Sequence, residues 1–160
     1  RGVSEYGATL RTKQKIRFLF GLDERETKGY SREATTRPGT FGALFLQMLE
    51  SRLDNAVFRL GFASSRRMAR HAVSYGHITV NGRKVNIPSY LVRQGDTIAI
   101  AERSLSSPLF AGLEFKLKKY EPAKWLKINP EKREGVVTDM PQGGEDLIEE
   151  VTKIKEFYSR

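Results

Sequence analysis

The residues with the clearest chemical potential lie in a basic segment and in the tight turn that follows it. Ser64–Gly76 begins with serines that can cap a helix N-terminus and ends with a glycine suited to a C-cap. Asn81-Gly82 is the preferred pair for a two-residue hairpin turn, since both positions need positive φ. Arginines in the first turn of a helix oppose its dipole, so their placement there favours a bound phosphate. The expected phosphate contacts are Ser64, Arg66, Arg67, Arg70, His71, Asn81, Arg83 and Lys84.

Structured RNA is the ligand that best matches such a surface. Its deep major groove hides the base edges, so proteins bind its backbone and shape. The alternative is that this basic helix face is simply solvated. In the same way, Arg52 with Asp54, or Arg59 with Asp96, could form structural ion pairs.

The composition narrows the possible classes of protein. The chain has 160 residues, with 28 Lys and Arg against 19 Asp and Glu, a formal charge of +9, two His and no Cys. Without Cys, the chain shown cannot build a disulfide scaffold, a thiolate zinc site or an iron–sulfur cluster. No apolar run approaches the length of a membrane span. We therefore expect a cytosolic protein whose first candidate partner is nucleic acid, with an anionic membrane second.

The positive charge is confined to the first two thirds of the chain. Residues 1–49 hold nine Lys and Arg against five Asp and Glu, a net +4, and residues 50–103 hold nine against four, a net +5. Residues 104–160 hold ten of each. No run of five like charges occurs, so the basic residues are expected within folded elements.

Hydrophobic periodicity predicts several helices. Asp23 and Glu26 have the spacing of a capping box at the start of one of them. In Ser64–Gly76, we expect Met68, Ala69, Ala72 and Val73 to form the buried stripe. The other predicted helices are Tyr6–Phe20, Asp23–Glu33, Phe41–Leu60 and Glu145–Tyr158.

After Gly76 the period changes from helical to alternating, which predicts a small antiparallel sheet. Ile78 and Val80 are expected to pair with Val85 and Ile87 across the Asn81-Gly82 turn. A second strand pair would place Leu91/Val92 against Ile98/Ile100. Further strands are expected at Lys124–Ile128, with Trp125 in a core, and at Val136–Thr138. Phe110–Tyr120 fits either helix or strand.

The predicted fold class is α+β, with a helical domain built from both chain ends and an inserted domain of helices packed on a small antiparallel sheet. The C-terminal helix must bury its apolar stripe, and the N-terminal helices are its expected partners. The predicted boundaries are 1–48 for the N-terminal helical part, 49–112 for the core of the inserted domain, 113–140 for its remainder, and 141–160 for the closing helix.

Four segments of the inserted domain resemble the RNA-binding domain named after the bacterial small-subunit ribosomal protein S-four: Leu49–Phe62, Ser65–Arg70, Gly76–Gly82 and Val85–Tyr90. This domain also occurs in pseudouridine synthases, a tyrosyl-tRNA synthetase and heat-shock RNA binders. The flanking sequences distinguish these cases, because they resemble the ribosomal family itself. The matching flanks are Arg11–Arg17, Trp125–Lys127, Pro130–Gly135 and Glu156–Arg160.

The resemblance implies a protein of the small ribosomal subunit in the cytoplasm. It implies binding to the 5′ domain of 16S-type rRNA at a multi-helix junction, nucleation of subunit assembly, contact with ribosomal protein S-five, and a position where mRNA enters. It also implies effects on translational fidelity, and in some members repression of their own mRNA. The RNA-facing positions that it implies are Lys13, Lys15, Arg17, Arg52, Arg66, Arg67, Arg70, His77, Asn81 and Lys84.

Two departures from the family pattern are visible. Leu105–Leu113 carries little charge and includes Pro108, so RNA contact is not expected there. The family's N-terminal extension, a Cys-type zinc module in some members, is absent from this sequence, which does not begin with Met; we expect a further N-terminal segment.

An enzyme is the main competing class: an RNA-modifying enzyme could use the same domain as a clamp, and a heat-shock RNA binder could use it without catalysis. The rest of the chain has no Gly-rich phosphate loop, no metal-ligand cluster and no Ser/His/Asp set. The basic residues also do not flank an apolar stripe of the kind that binds membranes. We therefore predict a non-enzymatic protein with no cofactor, no metal and no membrane partner.

Overall fold

A computed structural model of the chain describes residues 5–158. Residues 1–4 and 159–160 lie outside the described residues, and the latter are the last two of the flank Glu156–Arg160 that resembles the family. The chain divides into two compact units. The helical unit contains the chain up to Glu50 and from Gln142 onward, and the inserted unit spans Ser51–Pro141. The predicted α+β class, a helical domain from both chain ends with an inserted domain of helices and sheet, is confirmed.

The described residues form seven α-helices, five strands and three short 3-10 helices, and none of these helices is long and apolar enough to cross a membrane. The helices are α1 (Glu5–Phe20), α2 (Glu24–Thr36), α3 (Phe41–Glu50), α4 (Leu53–Arg59), α5 (Arg66–Ser74), α6 (Leu113–Lys118) and α7 (Ile148–Tyr158). The strands are β1 (Ile78–Val80), β2 (Arg83–Lys84), β3 (Thr97–Ile100), β4 (Leu126–Asn129) and β5 (Glu134–Val137). The 3-10 helices cover Glu102–Ser104, Pro108–Phe110 and Glu145–Leu147.

The helical unit packs α7 against α1, α2 and α3, as the apolar stripe of α7 predicts. The approach to α3 is close: a Cβ at Gly42 would lie 2.7 Å from the carbonyl oxygen of Ile148. The predicted capping box of α2 is present, since the Glu26 N–H donates to Asp23 Oδ1 at 2.7 Å and the Asp23 N–H donates to Glu26 Oε1 at 3.2 Å. The buried core of this unit includes Ile16, Phe20, Phe45, Leu49, Val151 and Ile154.

The prediction of one continuous helix over 41–60 is wrong, because the chain leaves helical geometry between α3 and α4. Arg52 adopts an extended conformation with φ −61° and ψ 140°. The Val92 N–H donates to the Ser51 carbonyl at 2.8 Å, and the Leu53 N–H donates to the Tyr90 carbonyl at 2.7 Å. Backbone pairing with this distant loop replaces the hydrogen bonds of the helix.

The inserted unit is built on one antiparallel sheet with strand order β2-β1-β3-β5-β4. The predicted turn between β1 and β2 is confirmed, since Asn81 and Gly82 have φ of 52° and 81°. Helices α4 and α5 contact one another, and their buried residues join those of the sheet in a single core. That core includes Leu53, Val57, Leu60, Val73, Ile78, Ile98, Trp125 and Val137.

Two strand predictions are wrong. The partner of β1 is limited to two residues, and Ile87 is 57% exposed, so the alternation does not continue beyond Lys84. No strand pair forms around 94–96, because the backbone of Leu91 and Val92 pairs with the segment at 51–52. Later in the chain, the predicted strands near Trp125 and Val136 are present as β4 and β5, and Trp125 is buried as expected. The segment 110–120, which fitted either helix or strand, contains helix α6.

Candidate nucleic-acid interface

Helix α5 presents two arginines in its first turn. Ser65 is the N-cap residue, with φ −151°, and its hydroxyl oxygen accepts the Met68 N–H at 3.1 Å. Arg66 and Arg67 follow immediately, and Ser64 is exposed just before the cap. The serine cap thus holds the positive end of the helix dipole next to two cationic side chains, a combination that favours a bound anion.

The buried stripe of α5 fixes which residues face outward. Ala69, Ala72 and Val73 are buried as predicted, whereas Met68 was predicted to be buried and is 38% exposed. The outer side carries Arg67, His71 and Tyr75 at four-residue steps, which places them in one line along the helix.

Arg66 is oriented by helix α4. Its Nε donates to Asn55 Oδ1 at 2.9 Å, and its guanidinium carbon lies 4.6 Å from the ring centroid of Phe58. Asn55 is buried, so this contact ties the start of α5 to the core of the unit. A guanidinium held in this way loses less conformational entropy when it binds a ligand.

The C-terminal end of α5 collects further cations around Gly76. Arg103 Nη2 donates to the Gly76 carbonyl at 3.0 Å. Gly76 has φ 79°, and a Cβ there would lie 2.8 Å from Lys84 Cε and 3.1 Å from Arg103 Nη2. The positive φ therefore favours glycine, and the close approach shows that Lys84 and Arg103 both reach this point of the chain. The sequence analysis did not include Arg103; the available signal was its position three residues after β3, whose end pairs with the start of β1.

The exposed ring of Tyr75 completes this end of the helix. It stacks on His71 with ring centroids 4.0 Å apart and is 67% exposed. An exposed aromatic among cations can stack on an unpaired base. We call the following set the basic surface: Arg66, Arg67, Arg70, His71, Tyr75, Lys84 and Arg103.

His77 lies partly inside the unit. Its Nδ1 is 2.8 Å from the Ser104 hydroxyl, and its ring meets Phe110 edge to face at 5.6 Å. Burial, followed by the positive charges of Arg103 and His71, holds the pKa of His77 below its usual 6.5. The ring is therefore neutral at pH 7 and serves to anchor the strand.

The hairpin presents two cations and one structural amide. Arg83 and Lys84 are exposed on the edge strand β2. The Asn81 side chain is engaged internally, since its Nδ2 donates to Asp96 Oδ1 and its Oδ1 accepts the Thr97 N–H, both at 2.9 Å. Asn81 thereby fixes the turn against the start of β3.

Arg52 requires a correction. It is fully buried, and its Nε and Nη2 donate to the two carboxylate oxygens of Asp54 at 3.1 and 2.9 Å. This is the structural ion pair that the sequence left as the alternative. A buried forked pair of this kind cannot reach a ligand on the surface, so Arg52 is excluded from the proposed RNA contacts.

The three predicted cations of α1 have separate environments. Lys13 is buried, with Nζ 3.0 Å from Glu24 Oε1 and 4.2 Å from the ring centroid of Phe157, so it too is excluded from the surface. Arg17 Nη1 lies 3.3 Å from Glu24 Oε2 and is partly exposed. Lys15 is exposed. Of the three, Lys15 and Arg17 can reach a ligand.

Comparison with known families agrees with this arrangement. Residues 51–98 match the family model described as "S4 domain", and residues 1–50 match "Ribosomal protein S4/S9 N-terminal domain". A ribosomal N-terminal domain joined to this RNA-binding domain defines the class as a ribosomal protein.

Relatives identify the family within that class. The chain is 48% identical over 158 residues to "Small ribosomal subunit protein uS4" of Halothermothrix orenii, an alignment that covers 98% of this chain and 76% of the relative. It is 46% identical over 162 residues to the protein of the same name from Thermus thermophilus, covering 100% and 77%. The chain belongs to the uS4 family of small ribosomal subunit proteins, whose role in the ribosome is structural and not enzymatic.

Proposed function

We propose that this chain binds the 5′ domain of small-subunit rRNA at a multi-helix junction, chiefly through the basic surface of the inserted unit. The observation that supports this most directly is the line of Arg67, His71 and Tyr75 along α5, which runs from the capped helix start toward Lys84 and Arg103 at Gly76. Cations and an exposed ring along one helix suit a folded RNA backbone with an accessible base. Lys15, Arg17 and Arg83 are further contacts, and Ser64 supplies a neutral donor.

Salt dependence of binding is the primary test. Each phosphate neutralised by Lys or Arg releases counterions, so the affinity for a 5′-domain rRNA fragment falls linearly on a log–log plot against salt. Filter binding over a range of KCl concentrations measures the slope. Each of the substitutions Arg67→Ala, Arg70→Ala and Lys84→Ala is expected to reduce that slope by about one unit.

Lys127→Ala is the matched control, because this exposed lysine lies on β4 at the opposite edge of the sheet from β2. It should leave both slope and affinity unchanged. A wild-type affinity that does not depend on salt would refute the proposal. Equal effects of Lys127→Ala and Arg67→Ala would refute the assignment to α5.

The proposal extends to subunit assembly and to the neighbours of the protein. We propose that binding at the junction organises the rRNA early, that ribosomal protein S-five packs beside this protein, and that the pair lies where mRNA enters, with an effect on translational fidelity. Reconstitution of small subunits from purified components tests this. The triple variant of Arg66, Arg67 and Arg70 to Ala should delay incorporation of later proteins, including S-five, whereas normal incorporation would contradict the assembly role.

A further inference from the structure

A cavity of about 420 Å³ opens in the inserted unit between the start of α5 and the segment 109–120. Its walls are mainly apolar, with Phe62 and Phe110 in the buried part. Met68 and Tyr120 also line it and are 38% and 41% exposed, so they mark its opening. A cavity of this volume is within the range of small-molecule sites.

Two cations and the Ser64 hydroxyl lie beside this apolar cavity. Phe58 lines it, and the guanidinium of Arg66 lies over the ring of Phe58 at 4.6 Å. Lys116 lines it from α6 and is exposed, and Ser64 lines it just before the cap of α5. The complementary ligand therefore has an apolar flat part and negative charge beside it, which is the composition of a nucleotide.

We propose that this cavity, the base pocket, receives one unstacked nucleobase of the RNA bound at the basic surface. The base then contacts part of Leu105–Leu113, where the low charge predicts no RNA contact, because a base packs on apolar groups and does not need a cation. The phosphates flanking that nucleotide contact Arg66 and Lys116. This inference rests on the proposed function, since it needs RNA at the start of α5. Proteins that recognise RNA commonly take up splayed bases by stacking them on aromatic side chains.

The aromatic wall of the base pocket is already in place before any ligand binds. Tyr120 packs on Gly61, where φ is 81° and a Cβ would lie only 2.8 Å from Tyr120 Cδ2. Because Gly61 has no side chain, the Tyr120 ring packs directly on its backbone. A base that binds therefore does not have to pay the conformational entropy of ordering this ring. The base pocket and the basic surface share the first turn of α5, which favours RNA over a separate protein partner as the occupant.

Filling the cavity without removing charge tests the proposal. Ala111 and Ala63 line the base pocket, and Ala111 is exposed, so Ala111→Leu can project into it with little effect on folding. Ala111→Leu and Ala63→Leu are each expected to weaken binding of the 5′-domain rRNA fragment about tenfold. The slope against salt should stay at the wild-type value, since no cation is removed. The control is Ala43→Leu, at an exposed position of α3.

The outcomes separate the two proposals. If the wild-type affinity for the rRNA fragment does not depend on salt, the proposed function is refuted. If the wild type shows the expected slope but Ala111→Leu and Ala63→Leu both bind with unchanged affinity, only the base pocket is refuted. Filled variants that bind RNA normally but lose binding to purified ribosomal protein S-five would assign the cavity to a protein partner and overturn the inference.

A measurement on the unmodified protein gives independent evidence. The chain has three Met, and Met68 lines the base pocket while Met48 lies in the core of the helical unit and Met140 is exposed elsewhere. In methyl NMR spectra, saturation with the rRNA fragment should move the Met68 resonance upfield through the ring current of a stacked base. Met48 and Met140 should stay in place. A Met68 resonance that does not move upfield overturns the proposal.

Discussion

Helices α1 and α5 are both rich in cations, yet the two helices use them differently. On α1, Lys13 is buried against Glu24, and Arg17 shares the same carboxylate. On α5, Arg67 is exposed, and Arg66 is oriented by Asn55 and Phe58, two neutral side chains. A cation that is buried against a carboxylate of its own fold contributes to that fold, whereas an exposed cation such as Arg67 can contact a partner.

The difference arises from the neighbouring element and not from the helix itself. Glu24 opens α2 only four residues after α1 ends, so the turn between them brings its carboxylate back to Lys13 and Arg17. Helix α5 is followed by β1 and the Asn81-Gly82 turn, which bring Lys84 toward Gly76. The connection after α1 brings a carboxylate to two of its cations, whereas the connection after α5 brings a further cation to the end of that helix.

The strongest test of this comparison uses Arg52, the inserted unit's counterpart of Lys13. Arg52→Met leaves the Asp54 carboxylate buried without its cation, so the free energy of unfolding should fall by about 3–5 kcal/mol. Urea denaturation followed by the fluorescence of Trp125, the single tryptophan, reports on the inserted unit.

Two further variants make the Arg52 experiment specific. The double variant Arg52→Met/Asp54→Leu should recover much of the lost stability, because neither charge is then left unpaired. Arg67→Met, on the exposed side of α5, should change stability by no more than about 0.5 kcal/mol. An Arg52→Met protein of normal stability that binds rRNA poorly would make Arg52 a ligand contact after all.

The second prediction separates exposed cations from buried ones by their effect on RNA binding. Arg67→Ala and Lys15→Ala should each reduce the salt slope of rRNA binding by about one unit, because each removes one phosphate contact. Lys13→Ala should leave the slope unchanged and lower the melting temperature of the helical unit, measured by circular dichroism. A reduced slope for Lys13→Ala would erase the distinction between the two helices.

Local sequence signals were sufficient for the parts of the site that depend on short-range geometry. The Ser65 cap, the left-handed Gly76 and the Asn81-Gly82 turn each follow from a backbone requirement met by one or two residues. The capping box of Asp23 and Glu26 is of the same kind. Such features need no information about distant parts of the chain.

The errors arose where distant contacts decide the structure. Leu49 and Leu53 continue a helical spacing across the break between α3 and α4, so periodicity alone cannot detect that the loop carrying Tyr90 replaces the helical hydrogen bonds. Leu91, in the same loop, pairs with Arg52 and does not form the predicted strand pair. Arg52 is buried because it lies at this break. Its burial could not be predicted from its residue type, since arginine is usually exposed.

The third prediction concerns the shared carboxylate of the helical unit. Burial, followed by the hydrogen bond and charge of Glu24, raises the pKa of Tyr158 well above its usual 10.0. The folded state favours the protonated phenol more than the unfolded chain does. The contribution of Tyr158 to stability is therefore fully present below pH 10.0 and is lost as the pH rises through the raised pKa of the folded state. In a spectrophotometric titration, Glu24→Gln should lower the pKa of the late phenolate step. Glu33→Gln, in an exposed pair with Arg37, should leave that step unchanged.

The same carboxylate has the opposite pH dependence. Burial opposes its ionisation, but hydrogen bonds from Lys13 and Tyr158 and the nearby positive charges outweigh this and hold the pKa of Glu24 below 4.5. Its contribution to stability is therefore present above the ordinary pKa and is lost as pH falls through the lowered one. Acid titration of thermal stability should show a smaller loss in Glu24→Gln than in Glu33→Gln. Equal losses would mean that Glu24 does not hold the cations of α1.

The smallest expected effect distinguishes the two histidines beside the basic surface. The pKa of His77 is lowered by burial and by the charges of Arg103 and His71, so the folded unit resists its protonation. Its contribution to stability is present above pH 6.5 and is lost as pH falls below that value, because the unfolded chain binds the proton more readily. Urea midpoints followed by Trp125 fluorescence should decline from about pH 7.5 to about pH 5.5 in the wild type and decline less in His77→Gln. The exposed His71 provides the matched control, and His71→Gln should retain most of the decline. If His71→Gln removed the decline instead, the decline would not come from His77, which would lose its role as the neutral anchor of β1.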